Sequence, residues 1–294
     1  FQPDLNVANL EVRNEIQRII GFWLALGVDG FRVDAVPFIL EQHHAGQPSR
    51  RPKMHFEYLE EIRFFLDWRS RGAILLGEAN VLPKETASYF REGRGIHLMF
   101  NFWVNQHLFD SLASEKTAAL IKALEETRDH PETVQWAQFL RNHDELDLGR
   151  LSEKQRRKAF ERFGPDPDMQ LYGRGIRRRL APMIGSRAQL ELAYSLMFSL
   201  PGTPVIRYGD EIGMGDDLAL EQRDAVRTPM QWNASSGAGF TTGKRPIHPL
   251  IDEGAFSYEH VNVEAQRRDP GSLLQWTAAM IRLRKESPEI GWGE

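Results

Sequence analysis

The 294 residues carry 37 Lys and Arg against 41 Asp and Glu, a formal net charge of −4, and no cysteine. This excludes a disulfide framework and a thiolate metal site, and it offers no global attraction to nucleic acid or to an anionic membrane. With 41% hydrophobic residues the chain can bury a sizeable core, and its length suits one large α/β domain.

In chain order, residues 12–26 predict an amphipathic helix with Ile16, Ile19, Ile20, Trp23 and Leu24 on one face. A strand is expected at 31–36, a helix at 56–68, a strand at 73–76, a short helix at 84–90 and a strand at 96–100. Helix is expected over parts of 104–127, strand at 134–140, helix at 187–199, strand at 204–208 and a closing helix at 272–286. The most apolar stretch, 190–206, contains Glu191, Pro201 and Pro204. It reads as a helix followed by a strand, not as a membrane span.

Three apolar runs end in carboxylates. Residues 30–36 read Gly-Phe-Arg-Val-Asp-Ala-Val, so Arg32 and Asp34 are two apart on a strand pattern and project to the same side. A fixed cation beside a carboxylate keeps it ionised, as a nucleophile requires; a structural ion pair is the other reading. Residues 73–80 read Ala-Ile-Leu-Leu-Gly-Glu-Ala-Asn, a run ending at Glu78, and 135–145 run through an apolar segment to His143 and Asp144. Continuous apolar runs suit parallel strands covered on both faces. Catalytic groups of a β/α barrel sit at the C-terminal ends of such strands. For Asp144 taken alone, an N-cap carboxylate is the other reading.

These segments resemble the alpha-amylase superfamily of glycoside hydrolases and transglycosidases. Residues 30–34 are similar to its nucleophile segment, 77–80 to its acid/base segment and 142–144 to the segment of its third acid. Tyr-Gly-Asp-Glu-Ile-Gly-Met-Gly at 208–215 and Arg-Thr-Pro-Met-Gln-Trp at 227–232 resemble the trehalose synthase group within it. The resemblance implies a TIM (β/α)8 barrel, here partial. Residues 1–294 would be the C-terminal part of the catalytic domain, from the third helix through strands four to eight, without the first three strands and the C-terminal β domain. Five strands alone would leave unpaired edges, so such a piece is expected to aggregate or partly unfold without the missing strands.

It also implies a retaining reaction with Asp34 as nucleophile, Glu78 as acid/base and Asp144 as the third acid. Arg32 and His143 would assist substrate binding, and Arg227 would close the pocket beyond the first glucose, paired with an aspartate of a motif this chain lacks. The expected activity is interconversion of maltose and trehalose by intramolecular glucosyl transfer. An α-glucosidase or other transglucosylase acting on short α-glucosides is the alternative, and a non-catalytic sugar-binding fragment the remote one. No cofactor is expected for the chemistry. Structural calcium is common in the superfamily, but its ligands stay unassigned. The expected partner is a small sugar, with neither nucleic acid nor membrane, oligomeric state open and location cytoplasmic.

Other features read more plainly. His43, His44 and His55 are expected in an exposed loop, with no second ligand group at metal spacing. The four arginines within 174–179 read as a solvated face or salt-bridge network. Phe100, Phe102 and Trp103 are candidates for sugar stacking or half-buried core; for 227–232 taken alone, a loop-anchoring Arg227 with Trp232 in the core is the other reading. Arg207 stands where many relatives have an aromatic, a departure that puts the isomerase assignment in question.

Overall fold

The computed structural model describes residues 4–42, 52–243 and 246–292. In chain order the regular elements begin with α1 (Leu10–Ala25), β1 (Gly30–Val33), α2 (Val36–Leu40), β2 (Glu41–Gln42), β3 (Lys53–Met54), α3 (Glu57–Arg69) and β4 (Ile74–Gly77). Next come α4 (Thr86–Phe90), β5 (Leu98–Phe100), α5 (Phe102–Ser114), α6 (Ala118–Glu126), β6 (Gln135–Phe139), β7 (Leu146–Asp147) and α7 (Glu153–Phe163). The series closes with β8 (Gln170–Leu171), β9 (Gly175–Ile176), α8 (Leu180–Ile184), α9 (Arg187–Ser199), β10 (Thr203–Val205), α10 (Val263–Arg268), α11 (Leu273–Glu286) and α12 (Glu289–Trp292). They form two compact units, Phe1–Trp103 with Glu125–Ala137, and Val104–Leu124 with Gln138–Glu294.

In the first unit, β1, β4, β5 and the start of β6 lie side by side, all parallel. Val33 pairs with Gly77 and Phe100 with Ala137. Parallel neighbours need helical crossovers, which α3 and α4 supply. Tyr58, Leu59, Ile62 and Leu66 of α3 recur at helical spacing and bury against Leu75, Ile96 and Met99. Gly77 lets this packing close: a Cβ there would lie 2.5 Å from Ile96 Cδ1.

The predicted face of α1 is corrected. Ile16, Ile20 and Leu24 pack on the core, but Ile19 and Trp23 are about half exposed. The helix is turned toward Arg13, which is buried between Glu61 at 2.5 Å and Glu57 at 3.2 Å and lies over the Tyr58 ring. That network pulls the 13/16/20/24 stripe inward.

The strand expected over 31–36 stops at Val33, because Ala35 adopts a left-handed conformation (φ 43°, ψ 47°) and α2 starts at Val36. His55 is likewise not part of an exposed loop: it is 4% exposed, with Nδ1 2.7 Å from Glu57 Oε1. His43 and His44 lie outside the described residues.

In the second unit, the end of β6 neighbours β10, and β7, β9 and β8 form a small antiparallel sheet. Leu190, Ala193, Tyr194, Met197 and Phe198 form the buried face of α9. The strand expected over 204–208 ends at Val205, leaving Arg207 and Tyr208 in the following loop. No helix among the described residues is long and apolar enough to cross a membrane.

Candidate active site

In the first unit, Asp34 directly follows β1 and Glu78 directly follows β4. The register carries the two chains out of the sheet together: Glu78 N–H donates to the Val33 carbonyl (3.0 Å), and Val36 N–H donates to the Glu78 carbonyl (2.9 Å). Arg32 reaches both carboxylates, with Nη2 2.8 Å from Asp34 Oδ1 and 2.5 Å from Glu78 Oε2. The strained residue Ala35 sits between Asp34 and α2, a backbone state that persists where the surroundings enforce it.

The two carboxyls differ in access. The Asp34 side chain is 67% exposed and that of Glu78 is 15% exposed. Burial raises the Glu78 carboxyl above its ordinary value, and the Asp34 carboxyl pushes it further through a hydrogen bond. Arg32 opposes both effects. A carboxyl held toward its protonated form beside an accessible carboxylate is a pair suited to acid and nucleophile roles. The apolar run before Glu78 contains no cation, and Arg32 reaches it from the adjacent strand.

In the second unit, the backbone after β6 presents His143 and Asp144. Arg227 Nη2 lies 2.6 Å from Asp144 Oδ1, its Nε donates to the His143 carbonyl at 2.9 Å, and Arg223 Nη1 lies 3.2 Å from Asp144 Oδ2. His143 Nε2 is 3.7 Å from Asp144 Oδ1. The expected partner of Arg227 was an aspartate of another motif; here the arginine pairs with Asp144. Asp144 is therefore a clamped carboxylate and not an N-cap. Asn142 Oδ1 accepts from Asp144 N–H, and Arg141 Nη2 donates to the Asp144 carbonyl.

Arg223 was missed from the sequence. It also grips the buried Glu145 through Nε at 2.7 Å and Nη2 at 3.3 Å, and its only local signal is a charged run, Glu-Gln-Arg-Asp, at 221–224. Of the arginines within 174–179, Arg174 is half exposed, and the other three form a buried or part-buried network. Arg177 binds four backbone carbonyls, Arg178 pairs with Asp216 at 2.9 Å, and the fully buried Arg179 pairs with Asp210 at 3.3 Å. Trp232 is 47% exposed, which does not fit the alternative reading that placed it in the core. Phe102 is buried, and Trp103 Nε1 donates to Glu126 at 2.9 Å, consistent with the core reading of that segment. Among the described residues no three or more His, Asp or Glu side chains form a group that could hold a metal ion.

The chain matches known proteins along nearly all of its length. The family described as alpha amylase, catalytic domain, matches residues 1–163 and 177–293. The trehalose synthase of Thermus thermophilus is 42% identical over 98% of this chain and 30% of its own length. That of Pimelobacter sp. (strain R48) is 41% identical over 99% of this chain and 52% of its own. The chain thus spans about half the length, or less, of these relatives. The crystal structure of an alpha-amylase from H.orenii superposes with a TM-score of 0.70 at 25% identity, covering 99% of this chain and 50% of that one. The parallel strands, their terminal carboxylates and these matches agree on a TIM-barrel-type α/β fold, and the chain belongs to the alpha-amylase family.

Proposed function

We propose that this chain carries the reaction centre of a retaining α-glucoside-active enzyme that interconverts maltose and trehalose. The observation that carries the reading is the pair at the ends of β1 and β4: an accessible Asp34 and a mostly buried Glu78 with a raised pKa, both held by Arg32. Asp34 attacks the anomeric carbon of the non-reducing glucose, while Glu78 gives its proton to the glycosidic oxygen. The bond between the anomeric carbon and that oxygen breaks, the second glucose leaves with a free C4 hydroxyl, and a glucosyl ester forms on Asp34. Glu78, now ionised, takes the proton of the C1 hydroxyl of the retained glucose. That oxygen displaces Asp34, giving the α,α-1,1 linkage and restoring both carboxyl groups. Asp144 and His143 bind sugar hydroxyls, and Arg227 limits the length of substrate accepted.

The similarity to proteins named trehalose synthase, at 41–42% identity, supports transfer over hydrolysis. We read residues 1–294 as strands four to eight of the barrel and their helices, with the rest of the catalytic domain and further domains supplied by the full-length protein. The exposed apolar residues Phe22, Trp23, Phe64 and Trp68 of α1 and α3 support this reading, as faces that further barrel elements could cover. The reaction needs no cofactor. Small sugars as substrates and the absence of cysteine favour the cytoplasm.

Product analysis tests the reading. The full-length protein is incubated with maltose, and glucose, maltose and trehalose are followed over time. Trehalose well ahead of glucose is expected. Glucose alone would assign an α-glucosidase, and no turnover with wild-type protein would remove the substrate assignment.

A further inference from the structure

Arg207, just past β10, is 7% exposed and bridges two loops of the second unit. Nη1 donates to the Asn142 carbonyl at 3.0 Å, and Nη2 donates to the Val226 carbonyl. Asn142 supports Asp144 by accepting its backbone N–H at 3.1 Å, and Val226 immediately precedes Arg227. One planar guanidinium therefore ties the backbone carrying Asp144 to the backbone carrying Arg227. The two side chains so aligned meet at 2.6 Å. A second tie reaches the same loop: Tyr208 O–H donates to the Thr228 carbonyl at 2.7 Å, and its ring lies 5.2 Å from Arg207 Cζ.

A fork of fixed geometry can hold two carbonyls at once, which a lysine ammonium on a flexible stem cannot do with the same alignment. Burying a guanidinium among other arginines is unfavourable. Desolvation, followed by the nearby Arg179, lowers the Arg207 pKa to about 10. A residue kept in such surroundings with both carbonyls bound is there for alignment more than for stability.

We propose that Arg207 is a positioning residue: by fixing the Asp144–Arg227 pair it sets how the glucosyl-enzyme divides between the retained glucose and water. The proposal rests on the transglucosylase reading above. A residue that merely pins the loop would change stability and leave the division of products untouched.

The test uses full-length wild-type protein, Arg207→Met and Arg207→Lys, with trehalose and glucose formation from maltose, KM, kcat and melting temperature measured for each. Losing one or two aligned hydrogen bonds predicts a rise of about three- to tenfold in the glucose-to-trehalose ratio for Arg207→Met. Arg207→Lys should fall between it and wild type. An unchanged ratio in folded Arg207→Met overturns the proposal, whatever happens to melting temperature. If Arg207→Met does not fold, Arg207→Lys decides, and a wild-type ratio there overturns the proposal. If the wild type itself forms no trehalose, the functional reading fails separately. The proposal is then judged on KM for the substrate hydrolysed: a rise with little change in kcat supports it, and an unchanged KM overturns it.

Discussion

The two carboxylate clusters of this chain differ in charge balance. In the first unit, two carboxyls share the single guanidinium of Arg32. In the second, Asp144 and Glu145 are met by Arg223 and Arg227. Acid in excess of cation keeps one proton within reach at Glu78, the condition for acid/base chemistry. Two guanidiniums on Asp144 hold it in place, the condition for holding hydroxyls in one geometry. Both clusters follow strand ends, and the neighbouring arginines assign the work.

The contrast can be broken by removing one charge at a time. Asp34→Asn deletes the nucleophile and should lower kcat by on the order of 10⁵-fold with maltose, read from initial rates. Retention of more than a tenth of wild-type activity would end the assignment. Glu78→Gln should lower kcat by about 10²–10⁴-fold with maltose. In kcat/KM, which reports formation of the glucosyl-enzyme, the deficit should shrink sharply with α-glucosyl fluoride, whose leaving group needs little protonation, while turnover stays limited by discharge. An equal deficit with both substrates would deny Glu78 the acid role.

Asp144→Asn leaves two guanidiniums facing a neutral amide and should reduce kcat/KM by about 10²-fold, without the dependence on leaving group seen for Glu78. If its deficit followed the leaving group, the two clusters would not differ as described. Arg32→Gln sharpens the first cluster. Arg32 lowers the Glu78 pKa, so its removal raises that pKa further. Glu78 must be protonated to act, and the rate falls as pH rises through its pKa. The alkaline limb of kcat/KM should therefore move to higher pH. A limb that stays in place, or moves down, contradicts the geometry.

The smallest effect concerns stability. His97 accepts the Leu75 N–H at Nδ1 (3.0 Å), and burial lowers its pKa from 6.5 to about 4. The folded protein holds it neutral, whereas the unfolded chain protonates it near pH 6.5. Its contribution is present above pH 6.5 and is lost as pH falls toward 4, by about 3 kcal/mol in all. Denaturant titrations across that range should show this slope in the wild type and a shallower one in His97→Gln.

Much of this was legible in the sequence because the chemistry is local. Asp34, Glu78 and Asp144 each close an apolar run, and strand periodicity fixes that Arg32 faces the same side as Asp34. What could not be read was which distant side chain meets which carboxylate. Arg32 crosses to Glu78, 46 residues away. Arg223 reaches Glu145 across 78 residues and Arg227 reaches Asp144 across 83. Such pairings are products of packing and leave no periodic trace.

The helix α7 was missed for a different reason. Only Ala159 and Phe163 of its residues are buried, so apolar periodicity is faint. Its capping box, Ser152 with Gln155, was the available signal. The inward turn of α1 was hidden because a buried arginine, Arg13, outweighed two apolar residues. Arg207, which from the sequence alone stood as a departure from the related pattern, acquires a purpose only once its two carbonyl partners are visible.

The most direct test is to find the covalent glucosyl-enzyme. Full-length Glu78→Gln protein, treated with α-glucosyl fluoride, loads its nucleophile but lacks the base that would discharge it. The protein is then quenched, digested and analysed by mass spectrometry. The account predicts one added glucosyl unit on the peptide containing Asp34, and none when Asp34→Asn is combined with it. A glucosyl unit on another carboxylate, or none while the fluoride is still consumed, would contradict it.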